Sequence, residues 1–140
     1  MKVRIRNNQR FLVNKKAIKD LILYTFKKEG IKQAKIEVSV LLENDKGIAG
    51  INKKYLGRPY STDVISFRLW EGPYSKVHPE IFGDIVVNVE EARRRNNNFE
   101  RELSLYIVHG VLHLLGYIDD TKNNSKRMQK RCDFILKGWL

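Results

Sequence analysis

No other segment constrains the fold of this chain as much as His109–Asp119 (HGVLHLLGYID). Its two histidines, His109 and His113, are four residues apart, so on a helix both rings project from one face. Gly116 can supply the left-handed residue that ends a helix and reverses the chain. The reversal would bring Asp119 back to the two rings. The segment therefore predicts a helix, a tight turn and three side chains around one cation.

Two imidazoles and one carboxylate are typical of a catalytic zinc site, because three protein ligands leave a fourth position for water. The chain has only three histidines, and two of them fall in this pattern. Both lie in an apolar run, where an unpartnered polar ring is costly. The alternative is a hydrogen-bonded pair without metal. We predict one Zn²⁺ per chain on His109, His113 and Asp119, with other divalent transition metals as alternatives.

Gly110 disfavours a peptidase. In the H-E-x-x-H proteases the residue after the first histidine is the glutamate that acts as general base. Here that position holds Gly110, so the expected base is missing. A metallohydrolase of another substrate, including a peptidase, is therefore a weaker alternative.

The net charge of +11 is concentrated at the two ends of the chain. Residues 1–32 carry ten Lys and Arg against two acidic residues, and residues 121–140 carry six against one. The segment between them carries eleven against thirteen. Basic ends of this kind predict a polyanionic partner, most simply RNA. The alternative is a basic surface that only keeps the protein in solution.

Composition predicts one domain over residues 1–140. The chain has 140 residues, 42% of them hydrophobic, which is enough for a single core. Its one cysteine, Cys132, excludes an internal disulfide bond. No apolar run approaches the length of a membrane span or a signal peptide. We therefore expect a reduced, cytoplasmic protein that does not use a membrane as partner.

The apolar pattern predicts an α+β fold, with a small four-stranded mixed β-sheet flanked by about five helices and the metal site on the motif helix. Alternation predicts strands at about residues 2–6, 36–42, 64–67 and 85–89. Helical spacing predicts helices at about residues 14–29, 43–56, 89–95, 98–115 and 121–138. Asn97, with Glu100 three residues later, is predicted to cap the motif helix. The loop at about 70–82 is a candidate substrate contact or an ordinary connection.

Three sequence blocks follow the pattern of a known family, in the same order along the chain. Asn52–Phe67 (NKKYLGRPYSTDVISF) is similar to N-x-x-Y-R-G-K-D-x-P-T-D-V-L-S-F, and Phe82–Ile85 (FGDI) to a G-D-I strand start. His109–Asp119 is similar to H-G-x-L-H-L-x-G-Y-D-H. On these blocks the chain resembles the YbeY family of bacterial rRNA-maturation endoribonucleases over essentially its whole length.

The resemblance implies a metal-dependent endoribonuclease that is specific for single strands. It implies a role in 16S rRNA 3′-end maturation and in ribosome quality control. The partners it implies are single-stranded rRNA, the 30S ribosomal subunit and assembly factors. It also implies one zinc ion on the three motif positions, which correspond to His109, His113 and residue 119.

The third ligand position departs from the family pattern. The family has histidine there, whereas this chain has Asp119, with Ile118 where the family has aspartate. Keeping the spacing of the family motif makes Asp119 the ligand, and a slip of one residue would make it Asp120. His78, in the loop at about 70–82, would complete a three-histidine site. A carboxylate lowers the charge of the site, so bound water should be less acidic and manganese or iron better tolerated.

A second departure concerns the arginine that follows the motif tyrosine in the family. Here that position is Leu56, and the nearest cation is Arg58. We hypothesise that Arg58 neutralises charge on the cleaved phosphodiester, as arginine commonly does. The alternative is a surface arginine in a proline turn. Together the two departures leave open a basic ribosome- or RNA-binding assembly factor whose metal site is structural or impaired.

Overall fold

The computed structural model describes residues 2–31, 36–68, 81–95 and 98–140. Within these ranges it contains four strands and five helices: β1 Lys2–Asn7, α1 Lys15–Lys28, β2 Ile36–Glu43, α2 Asp45–Leu56, β3 Val64–Arg68, β4 Ile81–Asn88, α3 Val89–Arg95, α4 Phe99–Leu114 and α5 Lys122–Trp139. Most of the predicted loop, with His78, and the predicted cap Asn97 lie outside the described residues. None of the described helices is both long enough and apolar enough to cross a membrane.

The four strands form one mixed sheet in the order β1-β2-β4-β3. The β1–β2 and β2–β4 pairs are parallel, and β3 runs antiparallel to β4 along the outer edge. The predicted α+β class and mixed four-stranded sheet are confirmed. The predicted start of the fourth strand at about residue 85 is wrong, because β4 begins at Ile81. The four extra residues pair with β2 in register, from Ile36 opposite Ile81 to Ser39 opposite Asp84.

Helix α4 forms the centre of the core. Asn98 caps its first turn, because the Asn98 side chain accepts a hydrogen bond from the Arg101 N–H at 3.1 Å. The helix packs on β3 and β4 and against α1, α3 and α5. Its buried residues cover most of its surface: Leu103, Tyr106, Ile107, Val108, Gly110, Val111, Leu112 and Leu114. Each large apolar side chain buried in this way contributes about 1.5–3 kcal/mol, so the position of α4 on the sheet is strongly determined.

Gly110 is where α4 comes closest to the sheet. A Cβ atom at this position would lie 2.6 Å from Ile85 Cγ2 and 3.2 Å from Val64 Cγ2. The backbone is also bonded to the sheet, because the Ser66 hydroxyl donates to the Gly110 carbonyl oxygen at 2.8 Å. The space where a peptidase of the H-E-x-x-H type carries its glutamate is therefore occupied by β3 and β4.

We expect Gly110→Ala to destabilise the protein by about 1–3 kcal/mol, because overpacking at Ile85 outweighs the better helix propensity of alanine. Gly50 of α2 is the matched control, since a Cβ there would have nothing within 4 Å. Gly50→Ala should raise the free energy of unfolding by about 0.5–1 kcal/mol. Urea unfolding of both variants measures the two effects. Shifts of the same sign would contradict the packing argument.

Candidate metal centre

The C-terminal turn of α4 places two imidazoles side by side. His109 Nε2 and His113 Nε2 are 3.0 Å apart. The helix ends after Leu114, and Gly116 has a φ of 101°. The Gly116 N–H donates to the His113 carbonyl at 3.0 Å, and the next N–H, of Tyr117, donates to a carbonyl one residue earlier in the helix. These paired bonds form the glycine-ended helix stop that the sequence predicts, and they reverse the chain.

The reversed chain brings Asp119 to the histidine pair. Asp119 Oδ2 lies 3.8 Å from His109 Nε2 and 3.7 Å from His113 Nε2. Ligand atoms bound to a tetrahedral zinc at about 2.0–2.1 Å are about 3.3–3.4 Å from one another. The observed separations bracket that value, so the three side chains fit one ion. We refer to His109, His113 and Asp119 as the metal cluster.

Asp120, the alternative third ligand, is directed elsewhere. Its Oδ1 accepts a hydrogen bond from Asn124 Nδ2 at 2.8 Å, near the start of α5. Among the described residues the metal cluster is the one group of three or more potential ligands close enough for one ion, and Asp120 is not in it. The geometry therefore favours Asp119 over Asp120. A role for His78 stays a prediction, because that residue lies outside the described ranges.

A hydrogen-bond network fixes the orientation of His113. Its Nδ1 lies 3.0 Å from the Tyr117 carbonyl oxygen. A carbonyl only accepts, so Nδ1 carries the proton and Nε2 of the neutral ring offers a lone pair to the cluster. The Tyr117 hydroxyl donates to Glu29 at 2.9 Å, and Arg131 donates to the same carboxylate at 2.6 Å. Helices α1 and α5 thus hold the loop that orients the ring.

The electrostatic environment keeps His109 in the form that a metal needs. Burial lowers the pKa of His109, and repulsion from His113 lowers it further. The carboxylates of Asp63 and Asp119 act in the opposite direction, but the net shift is downward. The lowered pKa favours the neutral ring, and a neutral imidazole is the ligand form of histidine.

A cavity of about 780 Å³ opens beside the metal cluster, and we call it the first cavity. The predicted catalytic residue, Arg58, lines it together with Tyr60 and Arg68. Buried Asn52 holds the loop that carries two of these residues. Its Nδ2 donates to the Tyr60 carbonyl at 2.9 Å, and its own carbonyl accepts from the Arg58 N–H at 3.3 Å. The structure thus brings Arg58 to the same cavity as the three predicted ligands.

Among the residues of this cavity that the sequence analysis did not assign to a site are Asn52, Tyr60 and Arg68. Strand alternation carries a signal for Arg68. Ser66 faces α4, because its hydroxyl bonds the Gly110 carbonyl. Side chains two residues apart on a strand share a face, so Arg68 follows Ser66 on the α4 side. No comparable periodic signal marks Tyr60, which lies in an irregular loop.

Comparisons with known proteins match most of the chain. The family model for endoribonuclease YbeY matches residues 4–139. The endoribonuclease YbeY of Syntrophus aciditrophicus is 43% identical over 112 residues, 74% of this chain and 70% of that protein. The one from Bacillus subtilis is 37% identical over 134 residues, 89% and 85% of the two chains. The solution structure of TM1509 from Thermotoga maritima has 28% identity and a TM-score of 0.58, over 99% of this chain and 91% of that one.

The geometry predicts that neighbouring aspartates differ sharply in their effect on metal binding. We expect Asp119→Asn to weaken Zn²⁺ binding at least about 10- to 100-fold, the range seen even for residues that only support a ligand. Asp120→Asn should leave Zn²⁺ affinity unchanged, because Asp120 bonds Asn124 instead. Competition with a chromophoric chelator measures both affinities, and circular dichroism checks the fold. A larger loss in Asp120→Asn would overturn the choice of third ligand.

Proposed function

Because the chain belongs to the YbeY endoribonuclease family, we propose that it is a metal-dependent endoribonuclease that cleaves single-stranded RNA. We also propose that it acts on rRNA in 16S 3′-end maturation and ribosome quality control. Its partners would then be the 30S subunit and assembly factors in the cytoplasm. The observation that carries this proposal is the convergence of three potential metal ligands in a cavity that two arginines also line.

His109, His113 and Asp119 are the residues that would hold the ion, with Zn²⁺ as the first candidate. When bound, such an ion polarises a phosphoryl oxygen and lowers the pKa of a water molecule. The side chains provide the geometry for this: two rings on a fixed helix and a carboxylate on the loop that Glu29 and Arg131 support. The carboxylate makes the donor set harder than three imidazoles, which favours tolerance for manganese or iron.

Arg58 is the residue that we propose to act on the phosphodiester. A guanidinium stays charged at any accessible pH and can donate two parallel hydrogen bonds to a phosphate. Asn52 fixes the backbone on both sides of Pro59, so the loop that carries Arg58 is anchored. Arg58 would then neutralise the charge that develops during cleavage. Arg68, at the end of β3, adds a second cation to the same cavity.

Tyr60 supports a preference for single strands. Its side chain is 57% exposed and lines the first cavity next to Arg58. A base can stack on a protein aromatic ring only when it is free of its own strand partners. An aromatic ring beside two cations is therefore suited to an unpaired RNA segment.

A second candidate function is an RNA-binding assembly factor with a structural or impaired metal site. The observation that favours it is Leu56, which stands where the family pattern has arginine. The two candidates differ in one property, metal-dependent cleavage by the pure protein.

We expect Arg58→Ala to lower kcat/KM for a 5′-labelled single-stranded RNA by about 10²–10³-fold, the loss typical of removing one group that stabilises developing charge. Arg101→Ala is the matched control, because Arg101 is an exposed arginine in the first turn of α4, outside both basic ends of the chain, and does not line the first cavity. Assays with added Zn²⁺ or Mn²⁺ compare the two variants.

Unchanged cleavage in Arg58→Ala would remove this residue from the mechanism.

The variant His113→Ala distinguishes the metal-dependent nuclease from the RNA-binding assembly factor. If wild-type protein cleaves RNA and folded His113→Ala does not, the protein is a metal-dependent nuclease. If pure wild-type protein binds RNA but does not cleave it with any added metal, the assembly-factor function is favoured.

We expect Tyr60→Ala to raise KM for single-stranded RNA about 5- to 100-fold with little change in kcat, since one base–aromatic stack is worth about 1–3 kcal/mol. Tyr55→Ala is the control. Tyr55 is 62% exposed in the same segment, but its ring packs against Phe67 with centroids 5.6 Å apart and does not line the first cavity. Equal effects of the two substitutions would contradict a stacking role for Tyr60.

A further inference from the structure

A second cavity, of about 440 Å³, adjoins the first one. Thr62, Asp63 and His109 line both cavities. A ligand in the second cavity would therefore contact the same histidine that belongs to the metal cluster. The volume lies within the range of about 300–1,000 Å³ that is usual for small-molecule sites.

Helix α4 provides one wall of the second cavity. Glu102, Tyr106 and His109 follow one another at i, i+4 and i+7, so they form a stripe that continues toward His113 on the same face. All three side chains line the second cavity. The stripe therefore leads from the metal cluster into this cavity without a break.

The Tyr106 side chain is buried and lines the second cavity. Tyr106 is only 4% exposed. Within the ranges that the structure describes, no protein group forms a hydrogen bond with its hydroxyl, although its side chain lines the second cavity. Buried hydroxyl groups normally have a partner, because an unpaired one loses its bonds to water. Burial raises the pKa of Tyr106 well above its usual range, so the hydroxyl keeps its proton and can donate.

The charged lining of the second cavity comprises three carboxylates and one guanidinium, and Gln129 adds an amide. Asp63, whose Oδ1 accepts from the Val64 N–H, and Glu102 present two of the carboxylates. The third, of Glu91, forms ion pairs with Arg94 and with Arg95, the lining guanidinium. Ionised carboxylates only accept hydrogen bonds. Three negative charges against one positive charge leave the lining unfavourable for a phosphate, and within the described residues no group of three ligands suited to a metal ion occurs here. The cavity therefore suits a neutral ligand that offers donors to the carboxylates and an acceptor to Tyr106.

We propose that the second cavity is a nucleobase subsite that selects a base with an exocyclic amino group next to the cleaved phosphodiester. The proposal rests on the proposed ribonuclease function. Asp63 and Glu102 accept hydrogen bonds from the amino group, as acidic side chains do from cytosine N4. Tyr106 donates to a ring nitrogen or carbonyl oxygen of the same base. Uracil has a carbonyl where cytosine has its amino group, so the lone pairs of that carbonyl would face the carboxylates and repel them.

The test compares fluorescein-labelled 2′-O-methyl hexamers of cytidine and uridine, which have rings of equal size. Fluorescence anisotropy with zinc-loaded protein gives both affinities, and gel electrophoresis confirms that the hexamers stay intact. Wild-type protein should bind the cytidine hexamer at least about 5-fold more tightly, about the worth of one hydrogen bond. Glu102→Gln should bring this ratio to one or below, because the amide can donate to the uracil carbonyl.

Tyr106→Phe should weaken binding of both hexamers about 3- to 10-fold without lowering the unfolding midpoint, since it removes a hydroxyl that no described protein group bonds. Tyr24→Phe is the matched control and should change neither affinity, because Tyr24 packs against Trp139 between α1 and α5. Unchanged affinities in Tyr106→Phe, or a loss of stability in it, would overturn the subsite.

A wild-type ratio of the two hexamer affinities near one would also overturn the subsite. RNA cleavage would be unaffected by that result, so the proposed function would stand. Failure of the proposed function would give a different result. Wild-type protein that neither binds the hexamers nor cleaves single-stranded RNA would overturn the proposed function itself.

Discussion

The approach of α4 to the sheet at Gly110 is the contact on which the geometry of both cavities depends. Because residue 110 has no side chain, the helix backbone lies against Ile85 and Val64, and its carbonyl bonds Ser66. The flanking turns of α4 carry His109 and His113, so their rings have a fixed distance from β3. Residues of β3 line the first cavity, and residues of the loop before it line both cavities. A bulkier residue at position 110 would move the histidines away from the loop that carries Arg58.

A second set of contacts connects the two outer helices, α1 and α5, to the metal cluster. Glu29 follows α1 and accepts from Tyr117 and from Arg131 of α5. Tyr117 in turn orients His113 through its carbonyl oxygen. The ligand loop therefore depends on three helices that are far apart in sequence. The same two outer helices carry much of the excess positive charge, so the basic ends of the chain also have a structural role at the site.

Features that depend on residues close together in the sequence were predicted well. The mixed sheet, the five helices and the turn at Gly116 follow from local periodicity and glycine placement. The early start of β4 was missed because Gly83 and Asp84 interrupt the apolar alternation, and pairing with distant β2 decides the strand there. The choice between Asp119 and Asp120 needs the direction of the turn in space, which spacing alone does not give. The cavities were missed because their walls come from segments such as α2, β3 and α4 that only the fold brings together.

The two cavities differ in their balance of charge, and this gives a bound RNA strand a direction. The first cavity has Arg58 and Arg68 on its walls, which attract phosphates, whereas Glu102 lines only the second cavity, where carboxylates outnumber the single lining arginine, Arg95. A strand that crosses His109 would therefore keep its backbone on the arginine side and turn a neutral base toward the carboxylates. Asp119 strengthens this division. A carboxylate in place of an imidazole lowers the positive charge of an occupied metal cluster, so the two arginines supply a larger share of the attraction for the phosphodiester. The proposed carboxylate ligand and the arginines of the first cavity would thus be linked through the charge balance of one site.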